Sequence, residues 1–301
     1  QSYGMLTIGH VPFLWVLLFY FMTGLWIWKK NGQNRHIRIS LAYVIMIILI
    51  WIPMARRKSL AFLDVGQGDC FVADTKSGAI IFDGGSSSED QVGRYRILPY
   101  MKYLGYQKIQ IAVISHMDID HYSGIKELLE MGKIKYLGLP EIPKDETMKK
   151  IIGIAKKRGT TIFYLSRGRQ ITTKDGSLKV LHPQKNSQME KNAASLVMQG
   201  KILGYRVLLT GDVEKEGEEE LLSEELERAD ILKAAHHGSK NSTSNEFLQK
   251  VQPKQTVISC GKQNRYGHPH LETIHRLQTY RTKIYRTDRS GAIIFFKRRD
   301  G

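Results

Sequence analysis

Two hydrophobic patterns divide the chain. Residues 11–28 are apolar almost without interruption, and a second uncharged run covers residues 39–54. Neither run has a polar face, and the first approaches the ~20 residues that a helix needs to cross a bilayer. It has no basic stretch before it and no small-residue cleavage site after it, so it does not read as a signal peptide. The pattern predicts two transmembrane helices within residues 1–58. From Ser59 onward, short apolar segments alternate with polar turns. Segments 60–65, 70–74, 79–83, 109–115, 178–182, 196–198, 205–210, 231–235, 256–259, 283–286 and 292–296 read as strands. Helices are expected over 95–104, after Ser123, and over the acidic stretch 214–226, with short alternations through 134–165. Pattern alone gives one mixed α/β domain over residues 59–301.

Charge refines this picture. The formal net charge is +16. Lys29, Lys30, Arg35 and Arg38 lie between the apolar runs, and Arg56, Arg57 and Lys58 follow the second. The slight excess between the runs places that loop in the cytoplasm and residue 59 onward on the extracellular side. Arg94, Arg96, Lys102 and Lys108 lie near the segment discussed next. Arg276, Arg281, Lys283, Arg286, Arg289, Lys297, Arg298 and Arg299 crowd the C-terminal end. A polyanion is the natural partner of such a surface. Cys70 and Cys260 show no metal-finger spacing and read as a possible pair or as small core residues.

The segment that carries chemistry is His116-Met117-Asp118-Ile119-Asp120-His121. It follows the apolar strand at 109–115 and precedes a helix start, so it occupies a strand-to-helix loop. Side chains two apart on extended chain point the same way, so His116 and Asp118 can grip one cation. Asp120 and His121, past the bend, can face a second. The donors are largely hard oxygens, which favours manganese or magnesium, while the histidines also suit zinc. Mn2+ is placed ahead of Zn2+ or Mg2+. A pair of cations can activate a water and neutralise a phosphodiester. Asp120 is the expected orienting group for the nucleophile. Lys233, His268 or His270 are expected to contact phosphate or protonate the leaving group. Asp212 follows a strand and is either a ligand or a helix cap. His236 and His237 end a strand, where neighbours point to opposite faces, so His237 is taken as the ligand and His236 as a supporting residue. Asn192 and His182 are further candidates for ligand or support.

This hexad resembles the metal signature of the metallo-β-lactamase fold, with Asp118 in place of the usual second histidine. That variant resembles the ComEC family of DNA-uptake channel proteins. Asp64-Val65-Gly66-Gln67-Gly68-Asp69, Leu208-Leu209-Thr210-Gly211-Asp212, Leu232-Lys233-Ala234-Ala235-His236-His237-Gly238-Ser239 and Tyr266-Gly267-His268-Pro269 resemble its remaining motifs in order. The resemblance covers about residues 60–298. It implies a metallo-β-lactamase-like αββα sandwich, preceded by the two transmembrane helices and following further channel helices. It also implies that Asp212 bridges two metal ions, and that Asn192-Ala193-Ala194-Ser195-Leu196 carries an Asn-containing version of the third motif. The function expected from it is a metal-dependent deoxyribonuclease attached to a membrane DNA-import channel in natural transformation, degrading the strand that is not imported. The competing expectations are hydrolysis of another phosphodiester and a non-catalytic DNA-binding module.

Overall fold

The structure, a computed structural model, describes residues 7, 9–28, 37, 40–47, 57–189, 192–224 and 226–298. The chain separates into two compact units: residues 1–57 with 102–107, and residues 58–101 with 108–301.

In the first unit the apolar run forms a helix, Phe13–Trp28, of 16 residues with no charged side chain. Residues 40–47 of the second run are also helical. The rest of that run, residues 39 and 48–54, lies outside the described residues. Among the described residues no helix is long and apolar enough to cross a membrane.

Among the described residues, the second unit holds two seven-stranded sheets. The first contains β1 (Ser59–Phe62), β2 (Phe71–Thr75), β3 (Gly78–Phe82), β4 (Ile109–Val113), β5 (Ile134–Pro140), β6 (Thr161–Leu165) and β14 (Ile293–Phe296). Its spatial order is β14-β1-β2-β3-β4-β5-β6. The second contains β7 (Gln170–Thr173), β8 (Gly176–His182), β9 (Val197–Ile202), β10 (Tyr205–Leu209), β11 (Ile231–Lys233), β12 (Gln255–Ile258) and β13 (Lys283–Arg286). Its order is β13-β12-β11-β10-β9-β8-β7. Strands β3 to β6 run parallel, as do β10 to β13.

Alternation along the strands builds the layers. Val207, Leu209 and Ile231 enter the core between the sheets, with Phe62, Phe71, Val180 and Phe295. Leu208 and Leu232, their neighbours in sequence, enter a separate core with Phe247, Leu248, Leu221 and Leu277. The central strands are therefore buried on both faces, and they read as continuous apolar runs for that reason. On the first sheet, the helix Ile119–Glu130 buries Gly124, Ile125, Leu128 and Leu129. Gly124 is required there, because a Cβ would lie 2.5 Å from Gly84 O. Cys70 and Cys260 are free and buried, as small core residues.

Three expectations are corrected. The helix after the hexad begins at Ile119 rather than after Ser123, so Asp120 and His121 occupy its first turn. The acidic helix is shorter, Lys215–Leu222. The strand expected to end on the histidine pair stops at Lys233, and His236 and His237 sit in a tight turn with left-handed φ of 47° and 53°.

Candidate metal centre

The site is assembled at the C-terminal ends of β3, β4, β10, β11 and β12. Backbone hydrogen bonds knit the loops together. Gly84 N donates to His121 O (2.8 Å), Asp69 N donates to Asp120 O (3.0 Å), and Gly85 N donates to Asp69 O (3.1 Å). A Cβ on Gly85 would fall 2.5 Å from Ile119 O and 2.6 Å from His121 N, so only glycine permits this approach.

Three imidazoles share one design. His116 Nδ1 meets Ser115 Oγ at 3.0 Å. His121 Nδ1 meets Asp83 Oδ2 at 2.9 Å. His237 Nδ1 meets the Ser259 carbonyl at 2.9 Å. Carbonyl and carboxylate oxygens only accept, so Nδ1 is the donor on His121 and His237. Each ring then turns Nε2 inward, and all three Nε2 atoms are buried without a hydrogen-bond partner among the described residues. A buried imidazole held through one nitrogen and left open at the other is the usual preparation of a metal ligand.

Carboxylates meet those nitrogens. Asp118 Oδ2 lies 3.6 Å from His116 Nε2. Asp120 Oδ2 lies 3.3 Å from His237 Nε2. Asp212 faces two rings, with Oδ1 3.2 Å from His121 Nε2 and Oδ2 3.3 Å from His237 Nε2. Asp69, His121, Asp212 and His237 are all buried and offer ligand atoms within 4.8 Å of one another. The residues present thus fit a metal site.

Electrostatics follow from this crowding. Burial pushes Asp212 up, but His121, His237 and Lys233 outweigh it and hold the carboxyl well below its usual range. Asp69 is likewise held low against its burial, chiefly by Lys233 and then His237. Burial opposes charge on His121 and His237, yet Asp212 with Asp83 raises the first and Asp212 with Asp69 the second, well above the ordinary histidine value. Asp120 is lowered despite burial, through His237 and His121.

The structure distributes the expected residues unevenly. His116, Asp118, Asp120, His121, Asp212 and His237 converge. His236 is set back: its Nδ1 lies 2.8 Å from Glu214 Oε1 and its Nε2 3.8 Å from Asp212 Oδ2. His182 turns elsewhere, with Nε2 on the Ala193 carbonyl (2.7 Å) and Nδ1 near Glu220. Asn192 lies in the turn before β9, where its carbonyl accepts from Ser195 N. Ser195 is nearer the centre, because its Oγ accepts from Asp212 N at 3.3 Å.

Lys233 is corrected. It was expected at the phosphate, but it is 4% exposed. Its Nζ is ion-paired with Asp69, lies 3.4 Å from Asp212 Oδ1 and donates to Gly211 O at 2.8 Å. It serves the site from beneath as a fixed counter-charge. His268 is half-buried, with its ring 5.4 Å from His236 and 6.2 Å from His237. Burial and those two histidines push it down to about 4, so it is neutral at pH 7. Sequence reasoning missed Asp83, Ser115 and Ser195, and gave Asp69 no role at the site. Asp69 stood within a quoted motif, and Asp83 at a strand end before Gly84-Gly85, but nothing local tied either to the hexad.

The metallo-beta-lactamase superfamily model matches residues 63–262, and the chain belongs to that superfamily. Within it, the relatives define a ComEC-family competence protein. "ComE operon protein 3" of Bacillus subtilis is 35% identical over 294 residues, covering 91% of this chain and 38% of that protein. "Competence protein ComA" of Neisseria gonorrhoeae is 30% identical over 248 residues, covering 79% and 32%. "Recombination protein 2" of Haemophilus influenzae is 27% identical over 268 residues, covering 88% and 32%. The chain therefore spans 32–38% of the length of these curated relatives. Among solved structures, the metallo-beta-lactamase fold protein YhfI from Bacillus subtilis aligns with a TM-score of 0.54 at 13% identity, covering 79% of this chain and 99% of that one. That likeness concerns the fold alone.

Proposed function

We propose that this chain is the hydrolase portion of a competence channel protein and cleaves DNA phosphodiester bonds with two divalent cations. The observation that carries the reading is the trio of inward, unbonded Nε2 atoms on His116, His121 and His237 among three converging carboxylates, Asp118, Asp120 and Asp212. His116 and Asp118 would hold one cation, and Asp120, His121 and His237 the other, with Asp212 between them. Such cations lower the pKa of a bound water and neutralise charge on a phosphodiester. The chain's own residues do the rest. Asp83, Ser115 and the Ser259 carbonyl orient the rings, and Lys233 fixes Asp69 and Asp212. Neutral His268 offers a hydrogen bond at the rim. The oxygen-rich donor set favours Mn2+ over Zn2+ or Mg2+.

DNA as substrate is supported by the competence relatives and by the basic composition. The C-terminal arginines and lysines contribute less than their number suggests. Arg276 donates to the Lys240, Ser242 and Thr243 carbonyls, Arg286 pairs with Asp288, and Lys297 and Arg298 pair with Asp175 and Asp230. Arg94 and Arg96 are exposed beside the hexad helix, against which Gly93 packs through Gly124, with Arg94 on Gln91 Oε1 and Arg96 3.6 Å from Glu89 Oε2. Degradation of the strand that is not imported fits this setting.

The apolar segments 11–28 and 39–54 are read as membrane spans, with the catalytic domain outside. Phe13, Leu14 and Trp28 are 72%, 74% and 80% exposed, and so much apolar surface is unfavourable in water. The test is incubation of the purified chain in neutral detergent with single-stranded and duplex DNA and each divalent ion. Cleavage that requires a divalent ion and disappears in Asp118→Ala and Asp120→Ala is expected. DNA binding without cleavage in any ion would instead make the domain a binding module.

A further inference from the structure

The aromatic rings of the site do not end at the metal centre. From buried His121 the sequence of rings continues to His237 at 5.4 Å, to His268 at 6.2 Å and to Tyr266 at 5.7 Å, with interplanar angles of 38°, 31° and 22°. The rings step outward: His237 is buried, His268 is half-buried, and Tyr266 is 43% exposed. Arg265 lies over the Tyr266 ring at 4.9 Å and donates to its hydroxyl at 2.7 Å.

The loop that presents Tyr266 is held in place. Asn264 Nδ2 donates to the Gly261 and His268 carbonyls (2.9 and 2.6 Å), and His268 N donates back to Asn264 Oδ1 (2.9 Å). Gly261 N donates to Gln67 Oε1 (3.1 Å), which ties the loop to the turn that carries Asp69. An exposed ring on a fixed loop loses little entropy when a ligand covers it. Burial of a polar neighbour or completion of a core does not account for this ring, since a large part of it faces solvent beside the reactive centre.

We propose that Tyr266, with Arg265, forms a nucleobase subsite: an unpaired base stacks on the Tyr266 ring while its neighbouring phosphate lies at the metal centre. Arg265 then leaves the ring to meet the next phosphate. The ligand class is a single strand or a frayed end, because a paired duplex keeps its base faces within its own stack. The inference rests on the phosphodiesterase reading of the centre and adds the substrate feature that it recognises.

Binding tests it apart from cleavage. The full chain in neutral detergent with Mn2+ is titrated with two fluorescein-labelled strands of equal length and nuclease-resistant phosphorothioate linkages, one of thymidines and one abasic. Wild type should bind the thymidine strand more tightly. Tyr266→Ala should weaken that binding by about 5-fold to 150-fold, leave the abasic strand unchanged and so erase the difference. Tyr266→Phe keeps the ring and should restore the preference. Equal affinity of wild type for both strands, or a Tyr266→Ala variant that still discriminates, overturns the subsite. Cleavage of unmodified strands is scored separately, so a failed nuclease reading and a failed subsite give different results.

Discussion

Lys233→Met isolates the role of the buried ammonium. Methionine keeps most of the stem's volume and removes the charge together with the hydrogen bond that Nζ donates to Gly211 O. In the native protein Nζ compensates Asp69 and Asp212, which are 4% and 3% exposed. Burial opposes a charged lysine there, yet those two carboxylates raise its pKa above the ordinary value, so the ammonium is kept. Removing one partner of a buried ion pair costs roughly 3–5 kcal/mol, because the other charge stays in place unpaired. In a domain of this size each kcal/mol moves the melting temperature by about 2–4 °C. Thermal melts in EDTA, followed by circular dichroism, should therefore fall by about 6–20 °C. Added Mn2+ should recover more stability in the variant than in wild type, since a divalent ion can take up the charge of Asp212 that the lysine no longer balances. A loss below about 1 kcal/mol, the size of an exposed ion pair, would place Nζ in solvent and restore the phosphate-contact role.

Two further outcomes follow from the same geometry. Asp83→Asn weakens the hold on His121 Nδ1, and metal affinity measured by chelator competition should drop about 10-fold to 100-fold; an unchanged affinity would remove Asp83 from the site. In metal-free protein, the folded pKa values of His121 and His237 lie well above 6.5, so their contribution to stability is complete below pH 6.5 and is lost as pH rises through those raised values. Asp69 and Asp212 act oppositely, losing their contribution as pH falls below 3.8. Melting temperatures in EDTA should decline above pH 6.5 and those with Mn2+ should decline less; parallel curves would contradict the reasoning.

The hexad was legible because it is contiguous and lies between an apolar strand and an amphipathic helix. The central strands were legible because burial on both faces writes itself as an apolar run. Other elements left weaker marks. The edge strand Gln170–Thr173 has only one buried side chain, and its sequence is mostly polar. The helices Asn245–Val251 and Leu271–Thr279 are short and bury three and two side chains. The turn at the histidine pair, expected at a strand end, is not legible because left-handed φ at two consecutive non-glycine residues has no sequence signature. Asp83 stands 38 positions before His121, and only the parallel pairing of β3 with β4 brings the two together. Lys233 was read as reactive because a lysine beside a metal motif suggests a phosphate ligand. Its direction is set instead by β11, whose three residues are all buried.

Charge balance links the fold to the chemistry. Asp69, Asp83, Asp118, Asp120 and Asp212 bring five formal negative charges into one region, and Lys233 supplies one positive charge. The remainder is four formal negative charges, which favours a bound cation. Without metal, the same excess draws protons onto His121 and His237. Cations and protons therefore compete for the same carboxylate field. A Lys233 that instead faced the substrate would leave Asp69 uncompensated beneath the site and draw a cation away from Asp212. Held under the centre, the lysine leaves the two Asp212 oxygens facing the His121 and His237 rings.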